Sequence, residues 1–221
     1  MFDQLIIGNK ASCDDFDASV RDRVIKEPTK KKIKDTVPFS NVTYDFSKIN
    51  GEIYWEERTL EYNLEIVAFS IEEIEEKKTA LKNWLMNVHE EELYDPYIKD
   101  YHFIATFDDI SFDDSEFEKT TATVTFTAYP YMIANEKTVY SVDVVADEET
   151  TVEIINDSSH RITPTFNNDI SVIVTMGEPT YSVPSGETTD DFFELESGVN
   201  TLTFQATESG TVKISFYAEV L

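Results

Sequence analysis

One cysteine, three histidines, six glycines and no long apolar run set the first limits on this chain of 221 residues. Cys13 alone excludes an intrachain disulfide framework and points to a reducing compartment, or to assembly in one. It has no catalytic signature around it and reads as an inert thiol. The glycines are isolated, so neither a phosphate-cradling loop nor a dinucleotide fingerprint is present. A Gly-x-Ser-x-Gly elbow is missing too. His89, His102 and His160 are scattered, and no second histidine lies four residues after His89, which excludes the usual zinc spacings. No apolar run reaches the roughly 18 residues that a spanning helix needs. The first eight residues lack the basic and apolar regions of a secretory leader.

Basic residues are also few. Eighteen Lys+Arg stand against 44 Asp+Glu, for a formal charge of -26. Such a surface repels nucleic acid and anionic membranes alike. The 13% aromatic content, with 15 Phe and 11 Tyr, argues for a folded chain rather than a disordered acidic one. The acidity divides evenly: residues 139–221 carry 15 acids and 2 bases, or -13, and the first 138 residues carry the same net charge. One stretch runs the other way. Arg21, Arg23, Lys26, Lys30, Lys31, Lys32 and Lys34 fall within fourteen residues. A basic run on an acidic chain is either a solvated face or a contact with another copy.

The patterning predicts a mainly β chain with one α-helix. Residues 4–7 make a short apolar run closed by Gly8-Asn9, and residues 20–26 alternate only loosely, as an exposed strand. Pro28 to Pro38 reads as a loop or an extended hairpin arm, and Asn50-Gly51 as a hairpin turn. A strand is expected from 52 to 69, with Leu60, Tyr62, Leu64 and Ile66 on its buried face. Ser70 and Glu73 form a capping box ahead of a helix spanning 71–88, with Glu73–Lys77 and Glu75–Lys78 pairs along it. Leu93 to Pro96 turns the chain. Strands at 102–107 and 122–128 then flank the acidic segment Asp108, Asp109, Asp113, Asp114, Glu116 and Glu118. That segment fails the EF-hand pattern and reads as a solvated hairpin tip.

Beyond residue 138 the helical period is lost. Short strand candidates recur at 139–146, 151–156, 163–167, 170–176, 190–195, 199–207 and 210–218, the pattern of a small β-sandwich. Two domains are expected, 1–138 and 139–221. Tyr181 and Phe192 could stack on sugars, or fill a core. Arg58, heading a strand among acids, reads as a structural ion-pair partner. With 44 acids, carboxylate pairs carry no weight as evidence for a hydrolase. No metal, cofactor or catalytic residue is expected.

The order of features resembles the distal tail (Dit) proteins of long-tailed, non-contractile phages and prophages of Gram-positive bacteria. The residues that carry the resemblance are Val37-Pro38, Val42 to Ser47, Glu57 to Leu60 before the alternating strand, and Phe126 to Tyr131. In the second part they are Asn156, Pro164, Gly198 to Leu202 and Gly210 to Ile214. Phe39-Ser40-Asn41 departs from the pattern, lacking a glycine that such proteins often carry there. The resemblance implies a belt domain forming a homo-hexameric ring and a galectin-like C-terminal sandwich projecting from it. It implies a place at the virion tail tip, after assembly in the host cytoplasm, with no enzymatic activity. Tail tube protein, tail-associated lysin or tip protein, and receptor-binding or baseplate proteins are the implied partners. DNA would pass through the channel without specific binding. The residue-level counterpart is that 21–34 touch a neighbouring subunit and that part of the acidic excess faces the lumen. A carbohydrate-binding module acting in host recognition is the alternative.

Overall fold

Strict period-two burial organises the first half of the chain. In the computed structural model, which describes residues 3–36, 38–39, 41–48, 51–113 and 119–221, Leu60, Tyr62, Leu64 and Ile66 are all fully buried. They alternate with half-buried Thr59, Glu61, Asn63 and Glu65 along one strand. The chain divides into two compact units, Met1–Met132 and Ile133–Val220.

The first unit contains β1 (Ile6–Ile7), β2 (Lys10–Ala11), α1 (Ser12–Phe16), β3 (Ala18–Ile25), β4 (Lys34–Thr36) and β5 (Thr43–Asp45). β6 (Arg58–Val67), α2 (Ile71–Leu85), β7 (Glu91–Tyr94), β8 (Tyr101–Asp113) and β9 (Lys119–Ala128) follow. One antiparallel sheet runs in the order β3-β6-β9-β8-β7-β1-β2. Its core joins the buried face of β6 to Ala122, Val124 and Phe126 of β9, and to Leu81 and Leu85 of α2. β4 and β5 form a two-stranded sheet of their own.

Two bulges reset the alternation. Val20 pairs with Leu64 but Asp22 pairs with Asn63, so Arg21 is the extra residue in β3. In β8, Phe107 pairs with Phe126 and Asp109 with Thr125, which leaves Asp108 extra. Each bulge sets two exposed polar residues side by side before the inward pattern resumes. The second accounts for part of the acidic segment: the expected hairpin tip is instead strand as far as Asp113. Asp114, Glu116 and Glu118 lie outside the described residues, as do Val37 and Asn50 of the expected turns.

Helix α2 starts as its caps require. Ser70 Oγ accepts from the Glu73 N–H at 3.2 Å, and Glu73 Oε2 accepts from the Phe69 N–H at 3.0 Å. The Glu73–Lys77 and Glu75–Lys78 pairs form at 2.9 and 2.8 Å. The helix ends at Leu85, three residues before the expected 88; Ile74, Leu81 and Leu85 face inward and Ile71 is exposed. A second, five-residue helix, α1, gave no periodic signal because it spans little more than one turn. Its Phe16 ring stacks on Trp84 at 4.6 Å. Ser70→Ala is expected to cost about 1 kcal/mol. Trp84 fluorescence in urea reads this loss directly, because the residue sits on the capped helix.

The second unit is a sandwich of two four-stranded sheets. β10 (Met132–Val144), β11 (Thr150–Asn156), β12 (Thr165–Asn168) and β13 (Val172–Thr175) are followed by β14 (Thr180–Val183), β15 (Gly186–Thr189), β16 (Gly198–Gln205) and β17 (Gly210–Val220). The sheet orders are β15-β12-β17-β10 and β11-β16-β13-β14. Phe166, Phe193, Phe204, Leu202 and Ile214 fill the space between. The strand expected at 190–195 is not one. Asp190 accepts from the N–H groups of Phe192 and Phe193, curling that segment. Two unforeseen short strands, β14 and β15, lie before it. The chain switches sheets at Pro184-Ser185, helped by Gly186 at φ 98°. Buried Asn156 donates to the carbonyls of His160, Leu195 and Glu196, pinning two loops together.

Candidate functional site

Beyond Ile25 the β3–β6 ladder does not stop. The Lys26 N–H donates to the Thr59 carbonyl, Glu56 to Thr29 and Lys31 to Tyr54, and Phe46 donates to Ile33 at 2.8 Å. The chain thus runs out as a long two-ply arm that ends in the β4–β5 hairpin. Every residue of β4 and β5 is exposed. An isolated two-stranded ribbon is marginal in water, yet this one carries exposed Ile33, Phe39, Tyr44 and Phe46. The Tyr44 and Phe46 rings stack at 6.3 Å. At the tip, Phe39 takes φ 65°, the left-handed conformation that glycine would adopt without strain.

The seven basic candidates separate into two groups. Arg21 pairs with Glu65 on the neighbouring strand. Arg23, turned inward by the bulge, pairs with Asp3, approaches Asp95 at 3.0 Å and covers the Tyr97 ring at 4.8 Å. Both arginines are therefore engaged within their own unit. Lys26, Lys30, Lys31, Lys32 and Lys34 are exposed. Lys30, Lys31, Lys32, Lys34 and Lys48 line a cleft of about 310 Å³ beside Asp45. Lys34 Nζ lies 3.7 Å from Asp45, and Lys30 Nζ lies 5.6 Å from the Trp55 ring centroid.

Under the root of the arm lie two buried polar arrangements that the sequence did not disclose. Arg58 is buried and donates Nε to the Pro130 carbonyl at 2.8 Å. Its bonded acceptor is thus a carbonyl rather than the expected acid, because β6 pairs Arg58 with Ala128, two residues before Pro130. Burial lowers the Arg58 pKa. Four residues further along β6, Tyr62 converges with Arg23 of β3 and with Asp95, which follows β7. Burial raises the Asp95 carboxyl above its ordinary value, although the Tyr97 N–H and Arg23 pull it down. Burial, followed by the Asp95 charge, pushes the Tyr62 hydroxyl far up, so it stays neutral.

The aromatic pair of the second unit is divided. Tyr181 is half-buried, its ring edge-on to Phe193 at 4.8 Å, and so serves the core. Phe192 is 86% exposed. A cleft of about 430 Å³ in this unit is lined by Asp147, Glu148, Ser171, Ile173, Ser182 and Gln205 among others, with no aromatic ring in its wall. Cys13 lies in α1, and burial, then Asp14 and Asp17, raise its pKa, which keeps the thiol protonated.

No protein-family model and no curated protein matches the sequence. Among solved structures, the crystal structure of the SPP1 Dit protein aligns over 99% of this chain and 99% of its own, with a TM-score of 0.70 and 13% identity. The chain has the Dit fold. That protein is described as a paradigm of the hub adsorption apparatus in phages infecting Gram-positive bacteria. The baseplate of phage p2 in its activated conformation also matches, with a TM-score of 0.44, 10% identity and 96% of this chain covered. Identity as low as 13% explains why a fold shared end to end leaves no match at the level of sequence.

Proposed function

We propose that this chain is a non-catalytic structural protein of a phage tail tip. It assembles as a homo-hexameric ring between the tail tube and the tip or baseplate, and serves as a hub for host-adhesion components. The observation that carries this reading is the Dit fold along the full length of the chain. The arm agrees with it: an exposed, aromatic and lysine-bearing ribbon on a chain of charge -26 is suited to grip another acidic copy. In that ring, residues 1–138 form the belt and 139–221 the outward platform. Acids facing the lumen keep passing DNA from adhering. Light scattering coupled to size exclusion, with negative-stain images, tests the proposal. A particle of six 25.4 kDa chains with a central hole is expected, and a monomer at high concentration overturns it. Charge reversal at Lys30, Lys31 and Lys32 is expected to shift the particle toward monomer at low salt, and an unchanged ring would remove these lysines from the interface.

Phe192 favours a second reading, in which the sandwich binds a glycan, because an 86% exposed phenylalanine is a ready stacking platform. Saturable binding on a glycan array that is lost in Phe192→Ala would carry it.

A further inference from the structure

Resting on the ring reading above, we infer that the arm of one copy seats its tip on the β6–α2 corner of the next copy, around Phe69. The corner is a second exposed apolar surface of the first unit, and its backbone is firmly held. Val67 is 50% exposed, Phe69 97% and Ile71 53%, three apolar side chains within five residues. Their backbone is held from several sides. The Phe69 N–H donates to Glu73 Oε2, Ser70 caps the helix, and Lys77 Nζ donates to the Val67 carbonyl at 2.9 Å. Phe69 is thus presented to solvent by a rigid turn, at full hydrophobic cost to the free chain.

The two surfaces match in kind. The arm offers Ile33, Phe39, Tyr44 and Phe46, and the corner offers Val67, Phe69 and Ile71. They match in charge as well. Glu72 and Glu76 are exposed one helical turn apart, a like-charge spacing that is unfavourable on a helix. A lysine from the 30–34 run placed between them relieves that repulsion. Asp45 shares the lysine cleft and pairs with Lys34, and Glu56 lies beside Lys30 and Lys32, but Lys30, Lys31, Lys32, Lys34 and Lys48 together leave the cleft positive in balance. Both surfaces stay exposed within one chain, so the arm does not satisfy its own corner. A contact between two different surfaces of identical copies is head-to-tail and repeats around a ring until it closes. The left-handed Phe39 fits the same account: a strained, exposed aromatic at a turn is kept where something outside the chain uses the ring.

The test uses the full chain. Phe69→Glu, at a 97% exposed position, is expected to leave the fold intact by circular dichroism and to raise the assembly midpoint concentration about tenfold or more. Phe39→Gly separates strain from contact, because it relaxes the turn and so keeps or raises monomer stability while weakening assembly about tenfold. A directional check mixes Phe39→Cys chains with Phe69→Cys chains, both also carrying Cys13→Ser, under a mild oxidant. Covalent dimers in the mixture, and none with either variant alone, are expected. Rings that persist in Phe69→Glu, with no cross-link in the mixture, overturn this joint while leaving the ring standing. A wild-type chain that stays monomeric overturns ring and joint together. Duplex DNA retained by the wild type and released by lysine reversal, with assembly unaffected, would assign the lysines to nucleic acid and overturn the charge match.

Discussion

Arg58→Ala is expected to destabilise the first unit by about 3 kcal/mol, a large share of the roughly 5–15 kcal/mol that holds a domain together. Two losses add. The Pro130 carbonyl loses the buried donors it receives from the guanidinium, worth about 1–3 kcal/mol when left unsatisfied. The long side chain, lying 5.5 Å from the Phe103 ring centroid, leaves a cavity at the root of the arm. One effect works in the other direction. Burial already disfavours the charged guanidinium, and its removal recovers that cost. Arg58→Met keeps much of the packing and recovers the same cost, so it is expected to lose only about 1 kcal/mol. The measurement is convenient because both tryptophans, Trp55 and Trp84, lie in the first unit. Urea-induced change in tryptophan fluorescence therefore reports that unit without interference from the sandwich. Equal losses for the two variants would show that the carbonyl bond matters and the packing does not.

Asp95→Ala is expected to cost about 3–5 kcal/mol. The side chain is fully buried, accepts the Tyr97 N–H at 3.0 Å and lies 3.0 Å from Arg23 Nε. Its loss leaves that N–H unmet and strips Arg23 of one of its two carboxylates. Asp95→Asn keeps the amide's acceptor and the shape, so the loss shrinks, and the pH dependence becomes informative. Burial raises the Asp95 pKa in the folded chain above the ordinary value of about 3.9. A raised pKa means that the folded state holds the proton more tightly than the unfolded one. The contribution of this group is complete below about pH 3.9 and is lost as pH rises through the folded value. The stability difference between wild type and Asp95→Asn should therefore fall with rising pH across that window and then level off. A difference that grew with pH would mean that Arg23 dominates the site and that the carboxyl pKa is depressed.

Much of the fold was readable where one rule held over several residues. The β6 alternation, the Ser70–Glu73 cap and the Glu–Lys pairs of α2 all formed as spacing required. The two bulges were not readable in advance, yet they decide where charges point. Val20-Arg21-Asp22-Arg23 looks like a failed alternation. One extra residue makes it two regular halves, with Arg21 on the surface and Arg23 turned inward to Asp95. Counting bases could not separate those arginines from the lysines, because only the inserted residue distinguishes them. The sheet switch between β14 and β15 escaped for a related reason. Pro184-Ser185-Gly186 marks a turn in either case, and nothing local says whether the next strand joins the same sheet. The arm announced itself through its prolines and its lysines. That its Tyr44 and Phe46 stay exposed was not legible, because a β-like run does not say whether a second layer covers it.

The bulges also bear on how the chain tolerates changes in length. Removing one residue from a paired strand ordinarily turns every later side chain to the opposite face. Arg21 and Asp108 are exceptions, since each is the unpaired member of its ladder. Deleting Asp108 leaves Phe107, Ile110 and Phe112 facing the core in plain alternation, and deleting Arg21 does the same for Val20, Arg23 and Ile25. These are two points at which a descendant of this chain can shorten a strand by a single codon and keep its interior.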